Sequence, residues 1–332
     1  MSDKIKIALV GTGGWAKEHC RILQLRADVD FCGVVGRNEQ RTAARAAEYG
    51  TTPYTDIATM LAEAKPDLVC VCLPNQHHFD PTLQLIEAGV PLLVEKPLVF
   101  EMSEADTLLK AAADKNLFFA INFNHRYAKP LQLAKDAIVS GKVGDIVFAT
   151  WRFGGEGFSD HPQANLIETQ CHAFDQLEWL CGPIESVMAE MTDITAKGLS
   201  TLVLALRFTS GAVGSLVGTY DSSYAYRDTQ RIEVNGTLGR VLIEDTVRRF
   251  QFQATGDEVA QVWESGYFND FDREFHRTFD RHMDEILAAF KAGEQPPIHA
   301  RQGKRALQLA DAAIESYQTG TRIKVPALES DA

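Results

Sequence analysis

The sequence predicts an α/β protein in two parts. A doubly wound parallel sheet spans residues 1–123, and an α+β part built on a large, open, mainly antiparallel sheet spans residues 124–332. Two observations carry this. Up to Asn122, short apolar runs alternate with stretches of helical period, the pattern of parallel strands joined by crossover helices. From Ile146 onward, period-two runs dominate and are separated by turn residues, as in antiparallel strands covered on one face. At 332 residues the chain is also too long for one ordinary core.

The first part opens with a strand at 5–10, followed at once by Gly11-Thr12-Gly13-Gly14-Trp15-Ala16 and a helical pattern through His19, Ile22 and Leu23. Strand, glycine turn and helix in that order suit a dinucleotide. The first glycine permits the turn, the second lets the backbone approach a pyrophosphate at the helix N-terminus, and Ala16 keeps helix and strand close. The strand at 31–36 ends in Gly36-Arg37-Asn38 with no acid at its tip. An acid there would hold a ribose 2′-hydroxyl, whereas arginine pairs with a 2′-phosphate, so Arg37 favours NADP over NAD; a solvated Arg37, or one stacked on adenine, is the alternative.

A helix over 40–49 and another capped by Asp56 lead to 67–73, continuously apolar as in a buried parallel strand. Leu73-Pro74-Asn75 and His78 bunch at its carboxyl end, the edge where open α/β sheets bind ligands. Either His77 or His78 also fits a helix start making local hydrogen bonds, ahead of the helix at 79–88. The run Leu92-Leu93-Val94-Glu95-Lys96-Pro97 then delivers an amine to the same edge. Pro97 cannot continue the ladder and biases Lys96 towards an extended backbone, so the strand stops where the side chain enters the crevice. Lys96 is read as catalytic; these six residues alone fit equally a solvated lysine paired with Glu95. A helix at 101–115 and a strand at 117–122 complete this part.

In the second part Arg126-Tyr127 and Pro130 open a helix reaching about Ser140, before a strand at 146–152 that includes Trp151 and Arg152. The glycine-rich polar loop 154–165 is long enough to be functional. A helix at 166–180 carries Glu168, His172 and Asp175 at i, i+4 and i+7, on one face. Two acids flanking an imidazole suit a general base, and a histidine salt-bridged on a helix surface is the alternative. Strands follow at 186–191, 201–208, 212–220, 230–234, 240–243 and 249–253, with Gly236-x-x-Gly239 as a hairpin turn and helices at 271–292 and 302–319 closing the chain. So open a sheet needs cover, and a second copy supplies it, giving a homodimer or homotetramer.

The net charge of −12, with no basic run, argues against nucleic acid or an anionic membrane as partner. No apolar run approaches the roughly 20 residues that cross a bilayer, and Met1-Ser2-Asp3-Lys4 leads straight into a strand without a signal peptide, so a cytoplasmic protein is expected. The six cysteines lack metal-finger spacing and are too few for a disulfide framework; no metal is expected.

The glycine turn, Pro74-Asn75-x-x-His78, Glu95-Lys96-Pro97, His172-x-x-Asp175, Gln302-Gly303 and Ser316-x-x-Thr319-Gly320, in that order, resemble the Gfo/Idh/MocA family of nicotinamide-dependent sugar and polyol oxidoreductases over nearly the whole chain. The resemblance implies a Rossmann domain that binds NADP or NAD through Gly11, Thr12, Gly13, Gly14, Trp15, Ala16, Arg37, Leu73, Pro74, Asn75, His78, Glu95 and Lys96. It also places the family's catalytic histidine on His172, four residues after a carboxylate that is usually aspartate and here is Glu168. Arg126, Tyr127, Trp151, Arg152 and Asp175, with Glu168, are the expected substrate contacts. The implied activity is hydride transfer between the cofactor and a hydroxyl of a sugar, cyclitol or related polyol. Redox-neutral glycoside cleavage through transient C3 oxidation, and a non-catalytic dinucleotide sensor, are the alternatives.

Overall fold

The computed structural model describes residues 4–157, 160–268 and 271–328, the side chains of 271 and 272 excepted. The chain falls into two compact units: one comprises the chain up to Phe123 with Phe279–Lys304, the other Asn124–Thr278 with the chain from Arg305 onward. The leading segment of the first unit ends at Phe123, and the chain returns to that unit over Phe279–Lys304. The return of 279–304 has a local cause: the Ile121 amide donates to the Ile298 carbonyl at 3.0 Å and the Ala300 amide to the Phe119 carbonyl at 2.8 Å, so this segment is stitched to the last strand of the first unit.

That unit holds strands β1 (Ile5–Val10), β2 (Val29–Val35), β3 (Pro53–Tyr54), β4 (Leu68–Val71), β5 (Leu92–Glu95) and β6 (Phe119–Asn122). They are joined by helices α1 (Gly14–Leu25), α2 (Glu39–Tyr49), α3 (Ile57–Ala64), α4 (Phe79–Glu87) and α5 (Met102–Asp114). All five strand pairings are parallel, in the order β3-β2-β1-β4-β5-β6. The order reverses between β1 and β4, which opens a crevice at their carboxyl ends. β4 and β5 are buried at every residue, as strands covered on both faces must be. At position 303 a Cβ would stand 2.6 Å from Ile121 Cδ1 and 2.7 Å from Leu98 Cβ, so the Gln302-Gly303 motif is explained by close packing that only glycine allows.

The second unit has helices α6 (Lys129–Val139) and α7 (Cys171–Cys181) and nine strands: β7 (Ile146–Gly154), β8 (Ile184–Thr192), β9 (Thr201–Phe208), β10 (Val213–Thr219), β11 (Gln230–Gly236), β12 (Gly239–Glu244), β13 (Arg249–Ala254), β14 (Gln261–Glu264) and β15 (Ile323–Lys324). The order is β14-β13-β12-β11-β7-β10-β9-β8-β15, antiparallel throughout except for β7 beside β10. The hairpin turn at Gly236–Gly239 is as read from the sequence. Leu202, Leu204, Leu206 and Phe208 point into the core while Val203, Ala205 and Arg207 alternate outward, so one face of the sheet is covered and the other is open. Helices α8 (Phe271–Ala292) and α9 (Arg301–Thr319) complete the fold. Ser316 binds the tail of α9 to the sheet, accepting from the Ala189 amide at 3.0 Å and donating to the Thr321 carbonyl at 2.6 Å.

Candidate active site

In the first unit the glycine turn does what its sequence requires. Gly11 has φ +137°, and a Cβ there would lie 1.9 Å from the Cys72 carbonyl oxygen, so no other residue fits between β1 and β4. Beside Gly13 and Gly14, by contrast, a Cβ would meet nothing within 4 Å. That open space lies at the start of the twelve-residue α1, whose first turn has no acid, so the amides there are free of a competing negative charge. A pyrophosphate fits this cradle. Ala16 is fully buried and Thr12 nearly so, whereas Trp15 is 54% exposed and stacks on Phe279 with ring centroids 5.8 Å apart. At the tip of β2, Arg37 is exposed and Asn38 is committed to capping α2 through the Arg41 amide at 2.8 Å.

Leu73 and Asn75 are half-buried and Pro74 exposed at the end of β4. His78 is buried, with Nδ1 2.7 Å from the Pro97 carbonyl and Nε2 3.0 Å from the Leu73 carbonyl, and burial holds its imidazole below the usual histidine range. It therefore ties the β4 loop to the segment after Lys96. Glu95 is likewise held by protein groups. Its carboxylate turns inward, where Oε1 accepts from Asn122 Nδ2 at 2.6 Å and lies 2.7 Å from His19 Nε2, and Oε2 accepts from the Lys96 amide at 3.2 Å. Asn122 Oδ1 is in turn 2.6 Å from His282 Nδ1.

Burial opposes a charged His19, but Cys70 and Glu95 beside it outweigh that and hold the imidazole well above its usual range. Burial likewise opposes an ionised Glu95, and the hydrogen bond and charge of His19 overcome it, holding the carboxyl below its usual range. The two form a buried ion pair. Among the described residues His19, Cys72 and Glu95 form one trio whose ligand atoms lie within 4.8 Å of one another. At 2.7 Å, however, His19 and Glu95 are closer than two tetrahedral zinc ligands, which sit about 3.3 Å apart, and burial pushes the Cys72 thiol well up.

In the second unit the expected helix at 166–180 is interrupted. Asn165–Thr169 forms one π turn, closed by the Gln170 amide donating to the Asn165 carbonyl at 2.9 Å, and regular helix begins only at Cys171. The Asn165 side chain is fixed from both sides, donating to the Ser200 carbonyl at 2.7 Å and accepting from Gln170 Nε2 at 3.0 Å. The four-residue step from half-buried Glu168 to His172 is therefore not a plain α-helical turn. His172 is 5% exposed and lies flat against His125, with ring centroids 3.9 Å apart and planes 6° from parallel.

Three of the residues read as substrate contacts, Asp175, Arg126 and Arg152, are paired with protein groups. Asp175 and Arg126 are bonded to each other, with Nε to Oδ2 at 2.8 Å and Nη2 to Oδ1 at 2.6 Å, and burial pushes the Asp175 carboxyl up against the pull of the guanidinium. Both carboxylate oxygens are thus occupied by protein. Arg152 follows Trp151 on a strand and so faces the opposite side, where it is exposed and meets Asp228 at 3.0 Å. Trp151 and Tyr127 are both buried. The indole Nε1 of Trp151, stacked on Phe153 at 5.8 Å, is buried with no hydrogen-bond partner among the described residues, which leaves a donor for a ligand. Of the loop 154–165, residues 158 and 159 lie outside the described residues.

Two family models cover most of the chain: an oxidoreductase family with an NAD-binding Rossmann fold at residues 5–123 and the C-terminal alpha/beta domain of the same family at 135–325. The chain belongs to the Gfo/Idh/MocA oxidoreductases. Similar members include the D-glucoside 3-dehydrogenase of Escherichia coli, 31% identical with 98% of each chain covered, and the myo-inositol 2-dehydrogenase of Thermotoga maritima, 24% identical over 97% of this chain and 98% of that one. A levoglucosan dehydrogenase solved with NADH and L-sorbose shares the fold, at TM-score 0.88 and 19% identity over 98% of this chain and 100% of that one.

Within this Gfo/Idh/MocA chain, sequence reasoning missed His19, Asn122, His125 and His282. The only local signal was that His19 falls on the buried face of the helix after the glycine turn. The others act through partners 27 or more positions away; Asn122 is 27 from Glu95 and 160 from His282.

Proposed function

We propose that this oxidoreductase transfers a hydride between a nicotinamide dinucleotide, NADP in preference to NAD, and a secondary hydroxyl of a sugar, cyclitol or related polyol. When bound, the nicotinamide supplies the hydride acceptor or donor. His172 takes the hydroxyl proton, and Lys96 donates a hydrogen bond to the oxygen and stabilises its developing charge. Gly13, Gly14 and the α1 amides hold the pyrophosphate, and Trp151 offers its indole N–H to a sugar hydroxyl. The observation that carries the reading is the 31% identity, across both domains, to a D-glucoside 3-dehydrogenase, with Lys96 and His172 both present. That relative also supports a pyranoside hydroxyl over an open-chain polyol. The NADP preference rests on Arg37, exposed at the tip of β2 with no acid beside it. In this reading the protein works as a homo-oligomer associated through the open sheet face.

Following the absorbance of reduced cofactor with glucosides, free sugars and inositols, with NADP and NAD in parallel, tests both parts. Turnover with at least one of these, faster with NADP, is expected, and Arg37→Asp should reverse the cofactor order. No turnover with any of them would overturn the substrate class, and a wild-type preference for NAD would overturn the cofactor assignment.

A further inference from the structure

We propose that Glu95 is a positioning residue for Lys96, and that the buried His19–Glu95 pair couples Lys96 to the helix that seats the dinucleotide. The inference rests on Lys96 acting as proposed above. The ladder pairing β5 with β6 ends at Glu95 opposite Asn122, so the Lys96 peptide lies just past the last strand contact. The group that meets its amide is Glu95 Oε2, at 3.2 Å. A hydrogen bond to a charged acceptor fixes a peptide plane more firmly than a neutral one, and that plane sets where the Lys96 side chain starts.

A carboxylate this deeply buried is costly unless its charge is met. A lone structural pair would need one cationic donor. Here donors converge from three places: His19 on α1 at 2.7 Å, Asn122 on β6 at 2.6 Å, and the Lys96 peptide itself. Asn122 is oriented by His282 on α8 at 2.6 Å. His19 lies in the second turn of the helix that opens at the phosphate cradle, so the cradle and the amine share one rigid frame. Such a frame holds a hydride acceptor and an oxyanion donor in fixed relation, and misplacing a reacting group by about 1 Å costs about 100-fold in rate.

The test compares full-length Glu95→Gln, His19→Gln, His19→Leu/Glu95→Leu and Lys96→Met, measuring dinucleotide Kd, kcat and Tm for each. Glu95→Gln should leave Kd within about threefold while kcat falls between about tenfold and about 100-fold. The double leucine variant replaces a buried ion pair by an apolar one and should regain most of the lost Tm, yet kcat stays low because the Lys96 peptide has lost its acceptor. His19→Gln keeps a donor for the carboxylate and should lose less rate than Glu95→Gln at a similar loss of Tm. That comparison decides the matter even if the double variant does not fold. Recovery of kcat together with Tm, or a Glu95→Gln variant with kcat within about twofold of wild type, would overturn the proposal. Near-native turnover by Lys96→Met would instead overturn the role of Lys96 itself, whereas an inactive Lys96→Met beside an active Glu95→Gln would sink this inference alone.

Discussion

Lys96→Met keeps most of the side chain's bulk and removes only the amine, so dinucleotide should still bind while kcat drops by at least about 100-fold, the usual cost of an acid/base or oxyanion group. His172→Asn should do the same, and the double variant should fall well short of the product if, as proposed, both groups serve one proton transfer. Titration of cofactor and single-turnover rates separate binding from chemistry. Glu168 stands on the π turn rather than in register with His172, which favours contact with a substrate hydroxyl over support of the imidazole. Glu168→Gln should then raise KM and leave kcat nearly alone; a lowered kcat with a shifted pH profile would assign it to His172 instead. The His19–Glu95 pair adds a pH signature to stability. His19 is raised on folding, so its contribution is complete below its unfolded value of about 6.5 and is lost as pH climbs through the raised folded value. Glu95 is lowered, so its contribution is complete above about 4.3 and is lost as pH falls through the depressed folded value. Melting curves against pH should therefore show wild type losing more Tm than His19→Leu/Glu95→Leu at both extremes, and equal losses would contradict the pair's ionisation.

At the level of elements, what could be read locally was read well. Gly11 and the end of β5 declare themselves because the constraint and the residue lie within a few positions: a turn that a Cβ would block, and an apolar run that stops at Glu95 ahead of Pro97. Alternation also placed Leu202 to Phe208, and applied to β7 it already forbade Trp151 and Arg152 from facing one ligand. What could not be read depends on partners remote in sequence. Nothing near Asp175 announces that Arg126, 49 residues earlier, takes both its oxygens, and the π turn at Asn165 owes its form partly to Ser200, 35 residues later. Removing one member of the Arg126–Asp175 pair should cost about 3–5 kcal/mol, because a charge stays buried without its partner. Arg126→Met alone should thus lower Tm sharply, and Arg126→Met/Asp175→Leu should restore much of it. The junction of α9 with β6 carries its own test. With Ile121 and Leu98 atoms 2.6 and 2.7 Å from the Cβ position, Gly303→Ala should destabilise by about 1–3 kcal/mol, read as a lower denaturation midpoint at unchanged m-value.

For the whole molecule the proposed association through the open face of the nine-stranded sheet makes a prediction of its own. Register places Phe148, Thr150 and Arg152 of β7 beside Val213, Ser215 and Val217 of β10, and these beside Arg207, Ala205 and Val203 of β9. Phe148, Val203 and Val213 are 37%, 47% and 48% exposed, so large apolar side chains stand on this solvated face in two rows, Phe148 beside Val213 and Val203 beside Val217, with Ala205, Ser215 and Thr150 between them. On its other side the same face turns ionic, with Arg240 3.6 Å from Glu233 and Arg249 2.8 Å from Glu244. An apolar centre beside a rim of paired charges is the composition of a protein interface. A two-fold contact would set the patch against its own copy, which cancels the cost of exposing it without requiring a second complementary surface. A stable pair needs about 800 Å² from each partner, an area that three or four strands present readily. Val203→Lys/Val213→Lys places four like charges at the centre of such a pair while leaving the buried face of β9 and β10 untouched. Light scattering should report a dimer or tetramer for wild type at micromolar concentration and a smaller species for the double variant, with the circular dichroism of the two superimposable. A wild type that scatters as a monomer would refute the assignment of this face.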